Sequence, residues 1–425
     1  MLGKAGVRGE FTARYRVESP LPPSVVAELI AGEQSSGTFR AVPGESGELK
    51  ARARARVVSV QELGEAGSPT LHSALLARKG LVGACRRSEI ELAFPIANVG
   101  NNLPTLLATV AGNLFELGEV SGLRLLDLDM PAEYAAQFAG PAFGVQGTRQ
   151  LSGVYQGPMI GTIIKPSVGL SAGQTAALVD QLCEAGIDFV KDDELMADPP
   201  YERFSARLAA VMPVLQRHAQ RLGRMPMYAI NISGDGEEML RRHDAVREAG
   251  GTCVMASINW VGFAGIASLR RHAQLAIHGH RNGWGALARH PLLGLSFLAY
   301  QKLWRLAGID HLHINGVRSK FWEPDDSVID AGRACLAPFA DLAPLMPVSS
   351  SGQTPAQAPD LYKGLGSCDV LHLAGAGILA HPDGAAAGVQ AMREAWQAAQ
   401  AGIVLQDYAA TRPALRSALS FFQQD

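Results

Sequence analysis

MIGTIIKPSVGLSAGQTAALVDQLCEAGIDFVKDDE (159–194) contains two short apolar runs with β-branched residues, separated by a segment rich in small and apolar residues. Both runs, 159–166 and 187–194, end in polar residues. Near-continuous apolar runs are typical of strands that are buried on both faces, as in parallel sheets. The stretch therefore predicts a strand, a helix and a second, parallel strand.

The same pattern recurs along the rest of the chain. Further short apolar runs lie at 227–233, 252–260, 275–281, 311–316, 343–352 and 369–377, with helical segments such as 236–250 and 384–402 between them. Eight strands that alternate with helices are the number found in a (β/α)₈ barrel. We therefore predict an α/β protein in which residues 146–425 form a (β/α)₈ catalytic barrel.

The first 145 residues have a different pattern. Polar and apolar residues alternate at 10–17, 48–63 and 88–99, as in antiparallel strands, and the stretches 22–32 and 103–113 are helical in pattern. These features predict a smaller α+β domain, ferredoxin-like, over residues 1–145. The Gly- and Pro-rich segment 140–158 is the predicted boundary.

Composition excludes several classes of function. The 425 residues are 47% hydrophobic and 18% charged, which suits a soluble α/β protein with a large core, and the net charge of −2 gives no footprint for nucleic acid. No signal peptide is recognisable, and no run of about 18 apolar residues predicts a membrane span. Five widely spaced cysteines without a CxxC motif favour reduced thiols in a cytoplasmic protein.

Polar residues collect at the predicted C-terminal strand ends, which meet at the mouth of a barrel where catalysis occurs. They are Lys165, Lys191, Asp193, Glu194, Asn231, His278, His280, Arg281, His311, His313, Ser350, Ser351, Gly352, Gly375 and Gly377. So many such residues on one rim indicate a single site.

The acidic cluster at 191–194 suggests a magnesium site. Residues two apart on a strand share a face, so Lys191 and Asp193 point the same way, and Glu194 joins them where the strand ends. Carboxylate oxygens are ligands that Mg²⁺ prefers. A neutral lysine takes up CO₂ to give a carbamate, a third anionic donor, if burial or a cation such as Lys165 depresses its pKa. The alternative is an ordinary ion-paired loop.

Three further motifs each allow two or more interpretations. The pairs His278/His280 and His311/His313 could bind zinc, donate hydrogen bonds to an anionic substrate, or lie in the core. The Ser- and Gly-rich loops at 349–355 and 374–384 could offer backbone N–H groups to a phosphate, or be tight turns. The loop 315–326 could be a lid that carries Lys320, or a surface loop.

These motifs, in this order and spacing, resemble the RuBisCO large subunit over nearly the whole chain. The resemblance implies that Lys165 is a catalytic lysine and that carbamylated Lys191 binds Mg²⁺ with Asp193 and Glu194. It also implies that His280 is an active-site histidine and that Lys320 is the lysine of a mobile loop. The implied substrate ligands are Arg281 and His313 on one phosphate, Ser350, and the Ser351–Gly352 and Gly375–Ala376 turns on the other phosphate.

The resemblance also implies a homodimer or a multiple of dimers. Glu33, Thr38 and Asn113, in the segments GEQSSGTF (32–39) and VAGNLFELG (110–118), match residues that the first domain lends to the neighbouring subunit's site. Departures from the family pattern change size, charge and donors around the substrate: Ser167 replaces a lysine, Trp284 a histidine, Phe39 a tryptophan and Ala376 a glycine, and the segment NGVRSK (315–320) also differs. They indicate a RuBisCO-like protein (form IV) instead of a carboxylase.

We therefore predict a Mg²⁺-dependent enzyme that forms an enediolate from a phosphorylated keto-sugar or keto-sugar acid. The carbamate on Lys191 would be the general base, and Lys165 would return a proton. Lys320, Arg281 and His313 suit a substrate with an anionic group at each end. This favours 3-oxo-isoapionate 4-phosphate, with the chain acting as its transcarboxylase/hydrolase.

Other functions stay open from the sequence. One is a methionine-salvage enolase or isomerase, whose thioether substrate would require an apolar pocket. Another is ribulose-bisphosphate carboxylase. Two belong to other classes: a metal hydrolase that uses both histidine pairs, and a non-catalytic phosphosugar-binding protein.

Overall fold

The computed structural model describes residues 9–37 and 42–422, which form two compact units. The first unit contains the chain up to Phe138 together with Gly283–Ala307 and Phe339–Leu342. The second contains Ala139–Asn282, Gly308–Pro338 and the chain from Ala343 onward. The sequence boundary between residues 145 and 146 stays a prediction.

Thirteen strands lie within the described residues. They are β1 Glu10–Ser19, β2 Arg56–Ala66, β3 Cys85–Pro95, β4 Gly122–Asp129, β5 Met159–Ile163, β6 Phe189–Lys191, β7 Met227–Asn231, β8 Cys253–Ser257, β9 Ala276–His280, β10 Leu293–Leu295, β11 His311–His313, β12 Met346–Ser349 and β13 Leu371–Leu373. Eight of them close a parallel barrel in the order β5-β6-β7-β8-β9-β11-β12-β13, in which β13 pairs with β5. This confirms the (β/α)₈ prediction, and all eight predicted apolar runs contain a barrel strand.

Eighteen α-helices lie within the same residues. They are α1 Pro23–Glu33, α2 Gly47–Ala53, α3 Ala74–Arg78, α4 Leu103–Ala111, α5 Ala132–Ala135, α6 Gly144–Ser152, α7 Ala172–Glu184, α8 Phe204–Leu222, α9 Gly236–Glu248, α10 Ile258–His272, α11 Trp284–Ala288, α12 Phe297–Ala307, α13 Asp325–Leu336, α14 Ala358–Leu365, α15 Ala376–Leu379, α16 Ala385–Ala401, α17 Leu405–Ala409 and α18 Pro413–Phe422. The loop after β5 ends in a capping box, in which Ser171 and Gln174 satisfy each other's backbone N–H groups at the start of α7.

The barrel is filled by side chains, as expected for eight strands. Seven of the strands contribute to one buried apolar cluster, which includes Met159, Phe189, Met255 and Leu373. Strand β11 has no residue in this cluster and carries the buried His311 and His313 on either side of the buried Leu312. Neighbouring strands fix the position of Lys191, because it pairs with Ile163 of β5 on one side and with Ala229 of β7 on the other.

The first unit has a five-stranded sheet in the order β10-β4-β1-β3-β2. Strand β1 pairs antiparallel with both β3 and β4, and β10 adds to the edge of β4 in the parallel direction. The residues of β1 alternate between buried and more exposed positions over most of its length, because one face covers a core. The predicted α+β domain is therefore confirmed as a fold class.

One predicted strand is partly wrong. Residues 48–55 were expected to continue the strand over 48–63, but Gly47–Ala53 form helix α2 and the strand begins only at Arg56. The Ser46 hydroxyl caps this helix by accepting a hydrogen bond from the Leu49 backbone N–H. Ala, Lys and Arg are strong helix formers, and α2 buries no residue, so the alternation of its residues carries no information about a buried face.

Two further observations concern the helices and the cysteines. Among the helices of the described residues, none is both long enough and apolar enough to cross a bilayer. All five cysteines are free thiols, and four of them are buried.

A single carboxylate joins three segments of the barrel. Asp310, just before β11, is fully buried. Its Oδ1 accepts hydrogen bonds from the backbone N–H groups of Phe143 (2.6 Å) and Gly144 (3.0 Å) at the start of α6. Its Oδ2 accepts from the Ile277 N–H of β9 (2.8 Å) and from Arg270 of α10 (3.0 Å).

We expect Asp310→Ala to lower the free energy of unfolding by about 3–5 kcal/mol, because the buried Arg270 charge loses its partner. Asp330→Ala is the matched control, since the Asp330 side chain is 76% exposed on α13, and we expect a change below about 0.5 kcal/mol. Denaturant or thermal unfolding measures both. Equal stability of the two variants would contradict the role given to Asp310.

Candidate active site

The site centres on the amine of Lys191 at the end of β6. The side chain is 1% exposed, and its Nζ lies 3.8 Å from Glu194 Oε2. Burial lowers the pKa of Lys191 below its ordinary value, although the carboxylates of Glu194 and Asp193 act in the opposite direction. The positive charge of Lys165 lowers it further. A lysine in this environment reaches its neutral, nucleophilic form more easily than one in water.

Asp193 is paired with Lys165. The Lys165 Nζ donates to Asp193 Oδ2 at 2.7 Å and to the Ser167 hydroxyl at 2.6 Å. Burial alone would raise the pKa of Asp193, but the hydrogen bond and charge of Lys165 outweigh it, so this pKa is lowered. Asp193 is therefore an ionised carboxylate beside the buried amine.

The carboxylate between these residues points elsewhere. Asp192 accepts hydrogen bonds from Arg207 Nε (3.0 Å), from the Asn231 backbone N–H (2.9 Å) and from the Tyr228 hydroxyl. Strand alternation sends it to the opposite face from Lys191. Arg207 and Tyr228 lie on α8 and β7, and no motif in the sequence marks them.

The loop that carries Asp193 and Glu194 is fixed from β7. The Asn231 side-chain amide donates to the backbone carbonyls of both residues, each at 3.2 Å. Asn231 is one of the polar strand ends identified in the sequence. It therefore orients the two carboxylates through their backbone.

His280 joins this group from β9. Its Nε2 lies 3.4 Å from Glu194 Oε2, and its Nδ1 accepts a hydrogen bond from the Asn282 backbone N–H at 3.3 Å. Burial lowers the pKa of His280 to about 4. The imidazole is therefore neutral near pH 7, and its proton lies on Nε2, toward Glu194.

His313 and Ser350 continue the site across β11 and β12. The His313 ring centroid lies 4.4 Å from that of His280. His313 Nδ1 lies 3.0 Å from Ser350 Oγ, and His313 Nε2 lies 2.8 Å from His278 Nε2. Both ring nitrogens of His313 are thus engaged inside the protein.

Arg281 is paired with a carboxylate that the sequence analysis did not single out. Its Nη2 donates to Glu323 Oε2 at 2.8 Å, and both side chains are buried. The Asn315 side-chain amide donates to the same oxygen at 2.6 Å, and Ser351 Oγ lies 3.4 Å from Asn315 Oδ1. Glu323 lies in the loop 315–326, so this loop is tied to the rim by an ion pair.

The two glycine-containing loops approach Lys320 and Lys165. A Cβ added to Gly352 would lie 3.6 Å from the Lys320 backbone nitrogen, and one added to Gly375 would lie 3.9 Å from Lys165 Cε. Ser351 and Gly352 have φ values of 77° and 74°, in the left-handed region that favours glycine. Ala376 begins helix α15 directly after Gly375.

Comparison with known proteins decides the family. Residues 144–422 match the family model of the ribulose bisphosphate carboxylase large chain, catalytic domain, and residues 9–134 match that of its N-terminal domain. The chain belongs to the RuBisCO large-chain family.

Its relatives in this family include RuBisCO-like proteins. A 3-oxo-isoapionate-4-phosphate transcarboxylase/hydrolase of Xanthobacter autotrophicus is 52% identical, over 97% of this chain and 99% of its own. A 3-oxo-isoapionate-4-phosphate decarboxylase of Rhizobium rhizogenes is 42% identical, over 97% of this chain and 98% of its own. The crystal structure of a rubisco-like protein from Burkholderia fungorum has 50% identity and a TM-score of 0.92, covering 97% of this chain and 99% of its own.

The structure brings most of the residues predicted for the RuBisCO-like site into one connected rim. They are Lys165, Lys191, Asp193, Glu194, His280, Arg281, His313, Lys320, Ser350, Ser351, Gly352, Gly375 and Ala376. Glu33, at the end of α1, and Asn113, just after α4, lie in the first unit. Thr38 lies outside the described residues. The roles of all these side chains stay predictions.

The histidine pairs do not form the zinc cluster that a metal hydrolase would need. His278, His311 and His313 direct their ring nitrogens at one another in pairs. Within the described residues, the groups whose ligand atoms converge within 4.8 Å lie on outer helices: His243, Asp244 and His272, and Asp180, Glu184 and His218.

The donors around Lys191 fit a hard divalent cation. Asp193 is ionised, Glu194 is within reach of the Lys191 amine, and a carbamate on that amine would complete three anionic oxygen donors. These three residues would hold Mg²⁺.

We expect Lys191 to carry the carbamate when the protein is saturated with bicarbonate and Mg²⁺. Esterification of carbamates with an alkylating reagent, followed by peptide mass spectrometry, should find the modification on Lys191. Lys363, an exposed lysine of α14, is the internal control and should stay unmodified. The signal should vanish in Lys191→Met. An unmodified Lys191 under these conditions would contradict the magnesium site.

Proposed function

We propose that this protein is a Mg²⁺-dependent RuBisCO-like enzyme that acts on 3-oxo-isoapionate 4-phosphate and transfers or hydrolyses off its carboxyl group. The observation that carries the proposal is the buried, pKa-depressed Lys191 beside Glu194 and Asp193, in a chain 52% identical to the transcarboxylase/hydrolase of Xanthobacter autotrophicus. Family membership alone would leave the substrate open.

The chemistry of the substrate suits this site. In a 3-oxo acid the carboxyl group lies β to the carbonyl, so its removal leaves an electron pair that the carbonyl receives as an enolate. A bound Mg²⁺ supplies a Lewis acid for the carbonyl oxygen. We propose Lys191, as its carbamate, as the general base that takes a proton from the water or acceptor hydroxyl group that attacks the carboxyl carbon and carries it away. Lys165, whose side chain is 42% exposed at the mouth, is the proposed proton donor to the resulting carbon.

Cationic groups at the mouth support a substrate that is anionic at both ends. The Lys320 backbone nitrogen lies near Gly352 and Lys165 Cε lies near Gly375, while the Lys320 ammonium lies 5.4 Å from the centroid of the Phe321 ring. The Ser351–Gly352 and Gly375–Ala376 turns are the proposed backbone donors to the phosphate. The lysines beside these turns would add positive charge to the proposed phosphate site. Arg281 is the proposed cation for a carboxylate at the other end, where a thioether would gain nothing.

Turnover of substrate labelled in its carboxyl carbon tests the proposal. Transfer keeps the label in an organic product, whereas decarboxylation releases it as CO₂, so the label also separates the activities named for the two relatives. We expect Lys191→Ala to lose at least about 100-fold in kcat, because it removes the proposed base. Lys363→Ala is the control and should keep full activity. Wild-type-like turnover by Lys191→Ala would contradict the mechanism.

We further propose that the active unit is a homodimer, or a multiple of dimers, with shared sites. Related structures described as a dimeric archaeal Rubisco and an octameric Rubisco support an oligomer. In this arrangement Glu33, Thr38 and Asn113 would reach the site of the partner subunit.

Complementation between two inactive variants tests the shared site. Lys191→Ala removes the barrel contribution and Asn113→Ala removes the contribution of the first unit. After dissociation and reassociation of a mixture, hybrid dimers contain one site with neither change, so activity should rise above that of either variant alone. No recovery in verified hybrids would contradict a shared site.

A further inference from the structure

A chain of three histidines runs inside the barrel below the proposed site. His278 lies on β9, and His311 and His313 lie on the neighbouring strand β11, where His311 pairs with His278. All three side chains are buried. His278 Nε2 lies 2.8 Å from His313 Nε2, and His278 Nδ1 lies 3.3 Å from His311 Nδ1. The chemistry proposed above uses neither His278 nor His311.

Hydroxyl groups terminate the chain at both ends. At the inner end, Thr148 Oγ1 of α6 lies 2.8 Å from His311 Nε2 and donates to the Gly144 carbonyl at 2.5 Å. At the outer end, His313 Nδ1 lies 3.0 Å from Ser350 Oγ. Both nitrogens of each imidazole therefore have a partner.

The number of hydrogens on the three imidazole rings gives the hydrogen bonds between the histidines a single donor-to-acceptor direction. Burial lowers the pKa of His311 to about 3 and the pKa values of His278 and His313 well below their ordinary range. Each ring is thus neutral and carries a single N–H. Because the Thr148 hydrogen is committed to the Gly144 carbonyl, as in other helical threonines, Thr148 can only accept from His311.

The remaining protons follow one after another. His311 carries its proton on Nε2, so its Nδ1 accepts from His278 Nδ1–H. His278 Nε2 is then bare and accepts from His313 Nε2–H. His313 Nδ1 is bare in turn, so the Ser350 hydroxyl donates to it.

We propose that Thr148, His311 and His278 are positioning residues that fix the tautomer of His313, so that Ser350 offers only oxygen lone pairs to the substrate. Such an oxygen binds a hydroxyl group of the substrate and repels a phosphate oxygen. This assignment rests on the proposed function in so far as the substrate is a hydroxylated keto acid. Because the Ser350 oxygen repels a phosphate oxygen, we expect the phosphate to bind at the backbone N–H groups that follow Ser350.

In this tautomer His313 has a different role from the one that the sequence resemblance implies. The sequence resemblance assigns it to a phosphate, which requires an N–H directed at the mouth. In the derived tautomer the proton of His313 lies on Nε2, toward His278, and the bare Nδ1 is covered by Ser350. His313 then orients Ser350 and leaves the anion to other residues.

Neutron diffraction from crystals of the perdeuterated full-length protein tests the direction. We expect deuterium on His311 Nε2, His278 Nδ1 and His313 Nε2. Deuterium on His313 Nδ1 in the wild-type protein would overturn the proposal. This measurement needs no substrate, so it decides the tautomer even if the proposed function fails.

Thr148→Val and Thr148→Ser provide matched variants. Valine keeps the volume but leaves the His311 N–H without an acceptor, so we expect the chain to reverse and deuterium to appear on His313 Nδ1. In the reversed chain Ser350 accepts from His313 Nδ1–H, so its own hydrogen is available to a water molecule at the mouth. Serine keeps the hydroxyl and should retain the wild-type positions. Wild-type positions in the valine variant, or reversal in the serine variant, would refute the assigned role of Thr148.

Kinetics with 3-oxo-isoapionate 4-phosphate provide a second measurement. We expect Thr148→Val to raise KM roughly tenfold through the loss of one hydrogen bond to substrate, with Thr148→Ser close to wild type. A general loss of packing would instead affect kcat and thermal stability, and serine would not restore it. An unchanged KM in a valine variant with reversed protons would contradict the assignment of Ser350 as the acceptor. No turnover by the wild-type protein would refute the proposed function alone.

Discussion

The burial of one amine constrains the rest of the site. An ammonium group in a protein interior costs several kcal/mol unless it is paired, so Lys191 must either find a carboxylate or give up its proton. Its position between β5 and β7 removes it from water, and Glu194 at 3.8 Å compensates its charge only in part. The neighbouring carboxylates are in turn bound by other groups. Asp193 is bound by Lys165, and Asp192, on the opposite face, is bound by Arg207. The order of charges along residues 191–194 thus leaves the Lys191 amine available for carbamylation beside the carboxylates of Asp193 and Glu194.

A series of hydrogen bonds connects the floor of the barrel to its mouth. Asp310 accepts a hydrogen bond from the Gly144 N–H, and the Gly144 carbonyl accepts one from Thr148. The histidine chain begins at Thr148 and ends at Ser350, so it links the start of α6 to a hydroxyl at the mouth of the barrel. A (β/α)₈ barrel usually separates residues for stability at one face from residues for catalysis at the other. Here polar side chains fill part of the interior and join the two faces.

Much of this architecture is predictable from the sequence, for identifiable reasons. The barrel strands are predictable because burial on both faces demands continuous apolar runs, and Lys165, Lys191, Asp193 and Glu194 follow from their places at strand ends. Helix α2 was not predictable from alternation, because neither of its faces is buried. Glu323 could not be found either, since its partner Arg281 lies 42 positions away and only the fold brings them together. The direction of the hydrogen bonds between the histidines depends on where Thr148 donates its single hydroxyl hydrogen, and the spacing of residues in the sequence does not reveal this.

The pair formed by Arg281 and Glu323 has a thermodynamic consequence for ligands. A carboxylate of the protein already occupies the guanidinium at 2.8 Å, with Asn315 bound to the same oxygen. Because Glu323 already neutralises part of the guanidinium charge, Arg281 contributes less affinity to a bound anion than an isolated arginine would. A ligand that displaces Glu323 from this arginine would have to compensate the buried carboxylate it leaves behind, so the internal ion pair sets an energetic cost on such binding.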